Sequence, residues 1–279
     1  MRTIRVAHSP DSDDAFMYYG FASGAVRVEG LTFEQALSDI ESANHAAGDG
    51  RYDVTAISAA AYPFLAGRYL LLDSGASFGD GYGPRVVVPA ASPAVRVDDL
   101  AGKRVATPGV RTSAALALRL RLPEHEAVAM DFKEVGPAAR RGEVDAALVI
   151  HEGQLTAEEE GFRVLLDLGA DWKARTGLPL PLGLNAVKRD LPAEVRLSVA
   201  RAWAASIEHA LAHRREALDY AMSFARGLDR GRADTFVGMY VNDWTRGLGS
   251  VGRRAVELFL GEAASRGLVP PARVEFQER

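Results

Sequence analysis

The stretches GRYDVTAIS, at residues 50–58, and GEVDAALVIH, at residues 142–151, share a pattern that indicates the fold. Each has a glycine, an Asp three residues later, and then an apolar run that ends on a polar side chain, Ser58 or His151. We interpret each stretch as a turn followed by a buried strand. Because ligands bind beyond the carboxyl ends of strands in open α/β sheets, the two strands predict a cleft shared by two lobes.

The remaining sequence fits an α/β protein with two lobes. Short apolar runs alternate with helical periodicity through the first two-thirds of the chain, which is typical of α/β architecture. Beyond Leu191 the pattern is almost wholly helical, with helices expected over 193–213, 216–226, 233–242 and 251–266. We expect residues 1–88 and 190–279 to form a larger lobe and residues 89–189 a smaller one.

Composition excludes several classes of function. The 279 residues include 33 Lys and Arg against 37 Asp and Glu, a net charge of −4, so no global positive field attracts nucleic acid or anionic lipid. Without cysteine, the chain has no disulfide, catalytic thiolate or cysteine-bound metal. The first residues resemble a strand and lack the apolar region of a signal peptide, and no apolar run is long enough to span a bilayer. We therefore expect a cytoplasmic protein.

His151 is the strongest candidate for a catalytic group. Imidazole titrates near neutral pH, and this side chain stands at the predicted end of a strand, just before a loop. The neighbouring Glu152 could orient it or compete with it. The alternative is a surface histidine at a strand terminus with no chemical role.

The stretch ATPGVRTSAALAL, at residues 106–118, is a candidate anion site. Gly109 permits a tight turn, and Thr112 or Ser113 can cap the helix that follows. The free N–H groups at the start of a helix can bind a carboxylate or phosphate, and the two hydroxyls add donors. The alternative is a capped helix that binds no ligand.

The acidic stretch HSPDSDDAF, at residues 8–16, suggests a metal site through Asp11, Asp13 and Asp14. Its spacing does not fit the calcium loop of an EF-hand, which needs a glycine and a distal Glu at set positions. We prefer a helix start, with Ser12 or Asp13 as the cap and the carboxylates near the positive end of the helix dipole. We expect no metal there.

Six motifs, in a consistent order, make the chain resemble the 1,4-dihydroxy-6-naphthoate synthase family of the futalosine route to menaquinone. They are HSPDSDDAF, TAISAAAY, TPGVRTSA, VIHE, TGLPLPLG and the late YVN. The resemblance extends from about residue 5 to residue 265, and the pair VIHE and TGLPLPLG is the most specific part of it.

The resemblance implies a periplasmic-binding-protein-like fold of type II, with a mixed sheet in each lobe. It implies conversion of cyclic dehypoxanthinyl futalosine to 1,4-dihydroxy-6-naphthoate with loss of dihydroxyacetone, and no metal or organic cofactor. In this family the histidine of the IHE motif, here His151, is the general base. The substrate contacts map onto Ala56, Ile57, Ser58, Thr112 and Ser113. The expected partner is a small carboxylated substrate, and the expected state is a monomer or homodimer.

Two positions depart from the family pattern. Related sequences can carry Lys where Ala56 stands, so a charge contact is lost there and binding would rely on backbone groups. The SPDSDD stretch, residues 9–14, differs from the SPCPND form of some members.

Two other functions stay open at this point. One is chorismate dehydratase, a sister enzyme of the same fold, against which the IHE histidine and the HSPDSDD opening argue. The other is a non-catalytic solute-binding protein for a small carboxylate. The missing signal peptide and the missing lipobox cysteine count against it.

Overall fold

The computed structural model describes residues 1–224 and 229–279. Its strands are β1 (Arg2–His8), β2 (Leu31–Leu37), β3 (Val54–Ser58), β4 (Tyr69–Leu72), β5 (Ser77–Gly79), β6 (Arg85–Pro89), β7 (Arg104–Thr107), β8 (Glu126–Ala129), β9 (Ala146–Val149), β10 (Phe162–Asp167), β11 (Leu180–Lys188) and β12 (Phe276–Gln277).

The α-helices are α1 (Ser12–Ala22), α2 (Ile40–Gly48), α3 (Tyr62–Leu65), α4 (Ser113–Arg121), α5 (Val135–Arg140), α6 (Gly153–Thr156), α7 (Leu168–Thr176), α8 (Ala193–Ala212), α9 (Arg214–Met222), α10 (Arg230–Tyr240), α11 (Asp243–Arg246) and α12 (Gly249–Ser265). Short 3₁₀ helices span Ala59–Ala61 and Val97–Leu100. The last two residues of the helix expected over 216–226 lie outside the described residues. In the described parts of the chain, no helix has the length and apolar character needed to cross a membrane.

Two mixed sheets confirm the α/β prediction. The first sheet has the order β12-β4-β11-β3-β1-β2, with β5 also pairing with β11, and the second has the order β10-β6-β9-β7-β8. In each sheet a central strand runs parallel to one neighbour and antiparallel to the other: β3 between β1 and β11, and β9 between β7 and β6. We call the part of the chain built on the first sheet the first lobe, and the part built on the second sheet the second lobe.

The chain crosses between the sheets earlier than the expected boundaries at 88/89 and 189/190. Strand β6 already belongs to the second sheet, and β11 to the first, so the crossings lie between β5 and β6 and between β10 and β11. The sequence predicts the return crossing between the lobes in TGLPLPLGLNAVKRDL, residues 176–191, where Pro179 and Pro181 would stiffen the connection. In the structure Pro181 lies within β11, where the pairing with β5 shifts register between Pro181 and Gly183. The lobe boundaries themselves stay a prediction.

The repeated glycine–aspartate pattern has the same structure in both lobes. Both glycines adopt the left-handed conformation, with φ of 66° and 73°. The carboxylate of Asp53 accepts a hydrogen bond from the backbone N–H of Arg5 at 2.9 Å, and Asp145 accepts one from Arg104 at 2.9 Å. Each Asp N–H in turn donates to the carbonyl of the same arginine. Each pair of hydrogen bonds therefore fixes the start of one strand against its parallel neighbour: β3 against β1, and β9 against β7.

Helix α1 is held tightly against α8, and this contact fixes the acidic residues at its start. A Cβ on Gly20 would lie 2.5 Å from the Cα of Ser206, so glycine is required at this approach. The hydroxyl of Ser206 donates to the carbonyl of Met17 at 2.7 Å, and both residues are buried. The first turn of α1 is thereby held at the edge of the cleft.

Candidate active site

The cleft between the lobes contains a cavity of about 710 Å³. Every site residue expected from the sequence lines this cavity: Ala56, Ile57, Ser58, Thr112, Ser113 and His151. The structure thus brings the six residues together, and their roles stay predictions.

The cleft continues on both sides of Ile150 and His151. One neighbouring section, of about 1,270 Å³, is lined by residues that include His151, Lys133 and Arg232. The other, of about 820 Å³, is lined by residues that include Ile150 and Phe132. His151 therefore lines both the cavity and the first of these neighbouring sections.

His151 lies two residues beyond the end of β9, not on the strand itself as expected. Its backbone is left-handed, with φ of 52°, and it is the only residue other than glycine with positive φ among those described. Such a conformation costs about 1–3 kcal/mol, and strained residues of this kind cluster at functional sites. The ring meets Phe132 edge to face, with 5.1 Å between ring centroids.

The imidazole of His151 contacts one carboxylate. Its Nδ1 lies 3.2 Å from Oδ2 of Asp11, and the side chains are 19% and 8% exposed. Within the described residues, Nε2 of His151 has no hydrogen-bond partner, and the residue lines the cavity. The ring thus has one nitrogen beside a carboxylate and one free for a ligand.

Buried carboxyls from both lobes surround this histidine. Burial, reinforced by the charges of Asp14, Asp11 and Glu152, raises the pKa of Asp13 well above its usual value. Burial, with the charge of Asp11, also raises the pKa of Glu152, and burial raises that of Asp14. These groups hold protons at a pH where exposed carboxyls are ionised. No group of three or more His, Asp or Glu side chains in the described residues could hold a metal ion.

Helix α1 does begin in this acidic stretch, but the expected cap is wrong. The N-cap residue is Asp11, and neither Ser12 nor Asp13 caps the helix. The side chains turn toward the cleft instead: Ser12 donates to Glu152 at 3.4 Å, and Asp13 accepts from Ser77 at 3.2 Å. Tertiary contacts have replaced the local capping bond.

Ser58 keeps a free donor. Its backbone N–H donates to Oδ1 of Asn44 at 2.8 Å, so the amide of Asn44 must present its N–H₂ group to Ser58 Oγ, at 3.1 Å. The hydroxyl of Ser58 therefore accepts from the protein. Among the described residues its own hydrogen has no acceptor, so it is available to an oxygen of a ligand.

The hydroxyls of Thr112 and Ser113 are both occupied. Thr112 caps α4, accepting from Ala115 N–H at 3.2 Å, and donates to Gly109 at 3.0 Å. Ser113 donates to the carbonyl of Leu182 at 2.6 Å and accepts from the N–H of Ala60 at 3.2 Å, which ties α4 to the first lobe. The predicted cap is confirmed. What the start of α4 can offer a ligand is backbone N–H groups, not these hydroxyls.

Sequence reasoning missed several polar residues of the cavity. Gln154 comes from the second lobe, and its Oε1 accepts from the hydroxyl of Tyr240, from the first lobe, at 2.8 Å. Both line the cavity, as does Asp13. Two signals were available, because Gln154 follows His151 by three residues and Tyr240 begins the YVN motif.

Comparison with known proteins gives one consistent family. A family model described as menaquinone biosynthesis matches residues 4–265. A 1,4-dihydroxy-6-naphthoate synthase from Thermus thermophilus is 38% identical over 272 residues, covering 98% of each chain. One from Streptomyces coelicolor is 36% identical over 275 residues, covering 96% of this chain and 95% of the relative.

Solved structures support the same fold. A protein from Archaeoglobus fulgidus has 44% identity and a TM-score of 0.89, with 96% of this chain and 98% of that one covered. The alkanesulfonate-binding protein SsuA from Xanthomonas axonopodis pv. citri has 14% identity and a TM-score of 0.76, with 98% and 96% covered. The second likeness shows the fold alone, and it confirms the periplasmic-binding-protein-like architecture.

Proposed function

The chain belongs to the menaquinone-biosynthesis family as an enzyme related to the 1,4-dihydroxy-6-naphthoate synthases, and we propose that it converts cyclic dehypoxanthinyl futalosine to 1,4-dihydroxy-6-naphthoate and dihydroxyacetone. In this proposal His151 is the general base. The observation that carries it is the position of His151 in the cavity, with one ring nitrogen free. A cytoplasmic location and a monomeric or homodimeric state stay predictions.

The chemistry requires one well-placed base. Loss of dihydroxyacetone breaks a carbon–carbon bond, and the remaining ring becomes aromatic once a proton next to an activating carbonyl is removed. Nε2 of His151 accepts that proton while the electron pair of the broken bond goes to the departing three-carbon fragment. The imidazolium then donates a proton to this fragment, which leaves as dihydroxyacetone, and the base is regenerated. A positioned base contributes about 10²–10⁴ to such a rate. Side chains from both lobes line the cavity and restrict water around the intermediate.

The carboxylate of the substrate is bound at the start of α4. The backbone N–H groups of Ser113 and Ala114 are the ones that a helix leaves unpaired at its first positions, and the hydroxyl of Ser58 adds a donor. Burial raises the pKa of Asp13 and of Glu152, which reduces the negative charge that the acidic wall opposite presents to this ligand. An acidic protein can thus hold an acidic substrate locally.

The test is turnover of the cyclic futalosine by purified wild-type protein and His151→Asn, with naphthoate detected by mass spectrometry. We expect product from the wild type and a rate lower by about 10²-fold or more in the variant, with the dissociation constant within about tenfold. His213→Asn is the matched control, because His213 lies exposed at the end of α8. Full activity in His151→Asn would contradict the base, and no naphthoate from the wild type would contradict the substrate.

A further inference from the structure

The carboxylate beside His151 is itself held in place. Oδ2 of Asp11 accepts the hydroxyl of Ser9 at 2.7 Å, and the backbone N–H of Asp11 donates back to Ser9 Oγ at 3.2 Å. Asp11 precedes α1 in an extended conformation, and its side chain makes no capping bond to the helix. An Asp at this position usually caps the helix with its side chain, but the buried carboxylate of Asp11 is turned toward the cleft.

His151 is restrained from the second lobe. Its left-handed backbone conformation and the edge of Phe132 limit the directions in which the ring can point. Asp11, at the start of α1, belongs to the first lobe. The contact between Nδ1 and Oδ2 at 3.2 Å therefore spans the cleft and exists only while the lobes are together.

We propose that Asp11 is a positioning residue that makes His151 an effective base. In this proposal the carboxylate, 3.2 Å from Nδ1, is placed to accept the Nδ1–H of the ring in the catalytic arrangement, which leaves Nε2 unprotonated for the substrate proton. The same carboxylate stabilises the imidazolium that forms when Nε2 accepts the proton, as the aspartate does for the histidine of a catalytic triad. The inference rests on the proposed role of His151, and it adds that the base is assembled when the cleft closes.

The other acids near His151 do not fill this role. Glu152 is next to it in sequence, but its carboxyl accepts from Ser12, and burial together with the charge of Asp11 raises its pKa. Asp14 accepts the backbone N–H of Ser9 at 3.0 Å. Asp13 accepts from Ser77. Within the described residues, Asp11 alone has an oxygen within salt-bridge distance of the His151 ring.

This partner is not common to the whole family. In the SPCPND form of the motif, cysteine occupies the position of Asp11. A role for Asp11 is therefore a property of chains with the SPDSDD form, and the experiment must be done on this protein.

The kinetic test compares Asp11→Asn with wild type on the cyclic futalosine. We expect kcat to fall by about tenfold or more while KM stays within about threefold, because the lost interaction strengthens when the imidazolium forms. Asp145→Asn is the matched control: this exposed aspartate precedes the same strand as His151, at the opposite end, and asparagine can still accept the N–H of Arg104. Equal kcat in all three proteins would overturn the proposal.

The spectroscopic test does not depend on turnover. Long-range ¹H–¹⁵N correlation spectra of ¹⁵N-labelled protein report which ring nitrogen carries the proton, and His151→Asn assigns the signals. We expect the Nδ1–H tautomer in the wild type and loss of that preference in Asp11→Ala. The Nε2–H tautomer in the wild type, or an unchanged tautomer in Asp11→Ala, would overturn the proposal.

The two tests also separate this inference from the proposed function. The wild-type protein could make no naphthoate and still show a His151 tautomer that depends on Asp11. That result would contradict the proposed substrate and support the pairing of Asp11 with His151. If Asp11→Ala does not fold, Ser9→Ala provides the second variant, because it removes the hydroxyl that holds Oδ2. We expect a smaller fall in kcat in Ser9→Ala, together with a weaker preference for the Nδ1–H tautomer. An unchanged kcat in a folded Ser9→Ala protein that has lost this preference would count against the proposal.

Discussion

Polar side chains in the cleft differ in how much of their hydrogen-bonding capacity the protein uses. The hydroxyl of Thr112 bonds the loop before α4, and that of Ser113 bonds the first lobe. Among the described residues, the hydroxyl hydrogen of Ser58 has no acceptor. Residue type and position in the sequence are alike in all three cases, each being a hydroxyl at the end of a strand or the start of a helix. Thr112 bonds residues only three positions away, whereas the partners of Ser113 and Ser58 lie far along the chain, and these partners decide the difference.

Asp13 makes stability depend on pH. Its raised pKa means that the folded protein keeps a proton that the unfolded chain releases above the ordinary carboxyl pKa of about 3.9. The contribution of Asp13 to stability is therefore greatest below that value and falls as pH rises through the raised pKa. Asn is neutral throughout and can still accept from Ser77. We expect Asp13→Asn to raise the melting temperature more at pH 8 than at pH 5.

Thermal unfolding of wild type and Asp13→Asn across pH 5–8 checks this. Asp14 and Glu152 have raised pKa values for the same reason, so some decline with pH should remain in the variant. Asp145→Asn, at an exposed aspartate, is the control, and its melting temperature should change with pH as that of the wild type does. Equal pH slopes in Asp13→Asn and wild type would show that Asp13 is ionised in the folded protein.

Elements whose contacts are local follow the sequence closely. Helix α4 begins directly after Thr112, one of the two residues predicted to cap it. The glycine–aspartate pattern located both central strands, because the left-handed turn and the carboxylate bond are encoded within a few residues. Strand β11 was missed, since its prolines are tolerated only through a register shift against β5.

The difference between local and distant contacts also explains which site residues could be predicted from the sequence. His151 was predicted because imidazole titrates near neutral pH and this side chain stands at the predicted end of a strand. Asp11 and Asp13 were assigned to a helix start because a carboxylate there is favourable on local grounds. Their contacts with His151 and Ser77 join residues 140 and 64 positions apart, and no local pattern reports such contacts.

The loop at residues 108–111 and helix α2 meet across the cleft at a position that requires glycine. Gly109 has φ of 133°, and a Cβ there would lie 2.7 Å from the Cδ of Glu41, whose Oε1 accepts the N–H of Arg111 at 3.3 Å. We expect Gly109→Ala to push α4 away from the first lobe and to raise KM for the cyclic futalosine by about tenfold, with a smaller effect on kcat.

Gly102→Ala is the control for backbone strain alone. Gly102 has φ of 68°, and a Cβ added there would have no atom within 4 Å, so alanine strains the turn without touching the other lobe. We expect both variants to lose stability, by roughly 1–2 kcal/mol for the left-handed conformation, and Gly109→Ala alone to change KM. An equal KM in the two variants would contradict a role for this contact in binding.

In the structure the two lobes lie together, and residues of both lobes line the cavity. Contacts that join the lobes include Ser113 with Leu182, Tyr240 with Gln154, and the proposed base with its partner carboxylate. A substrate that reaches the cavity must pass between these contacts. We therefore expect turnover to require opening and closing of the two lobes.

The absence of cysteine from the chain makes this testable with one engineered pair. Arg232 on α10 bonds Glu159 of the second lobe at 2.7 Å, and both side chains are substantially exposed. We expect the double variant Glu159→Cys, Arg232→Cys, once joined by a short bismaleimide, to lose about nine-tenths or more of its turnover relative to the same protein before cross-linking. Single variants capped with N-ethylmaleimide control for the modification itself, and mass spectrometry counts the linked fraction. Unchanged turnover in fully linked protein would mean that substrate enters and product leaves while the lobes stay closed at this edge.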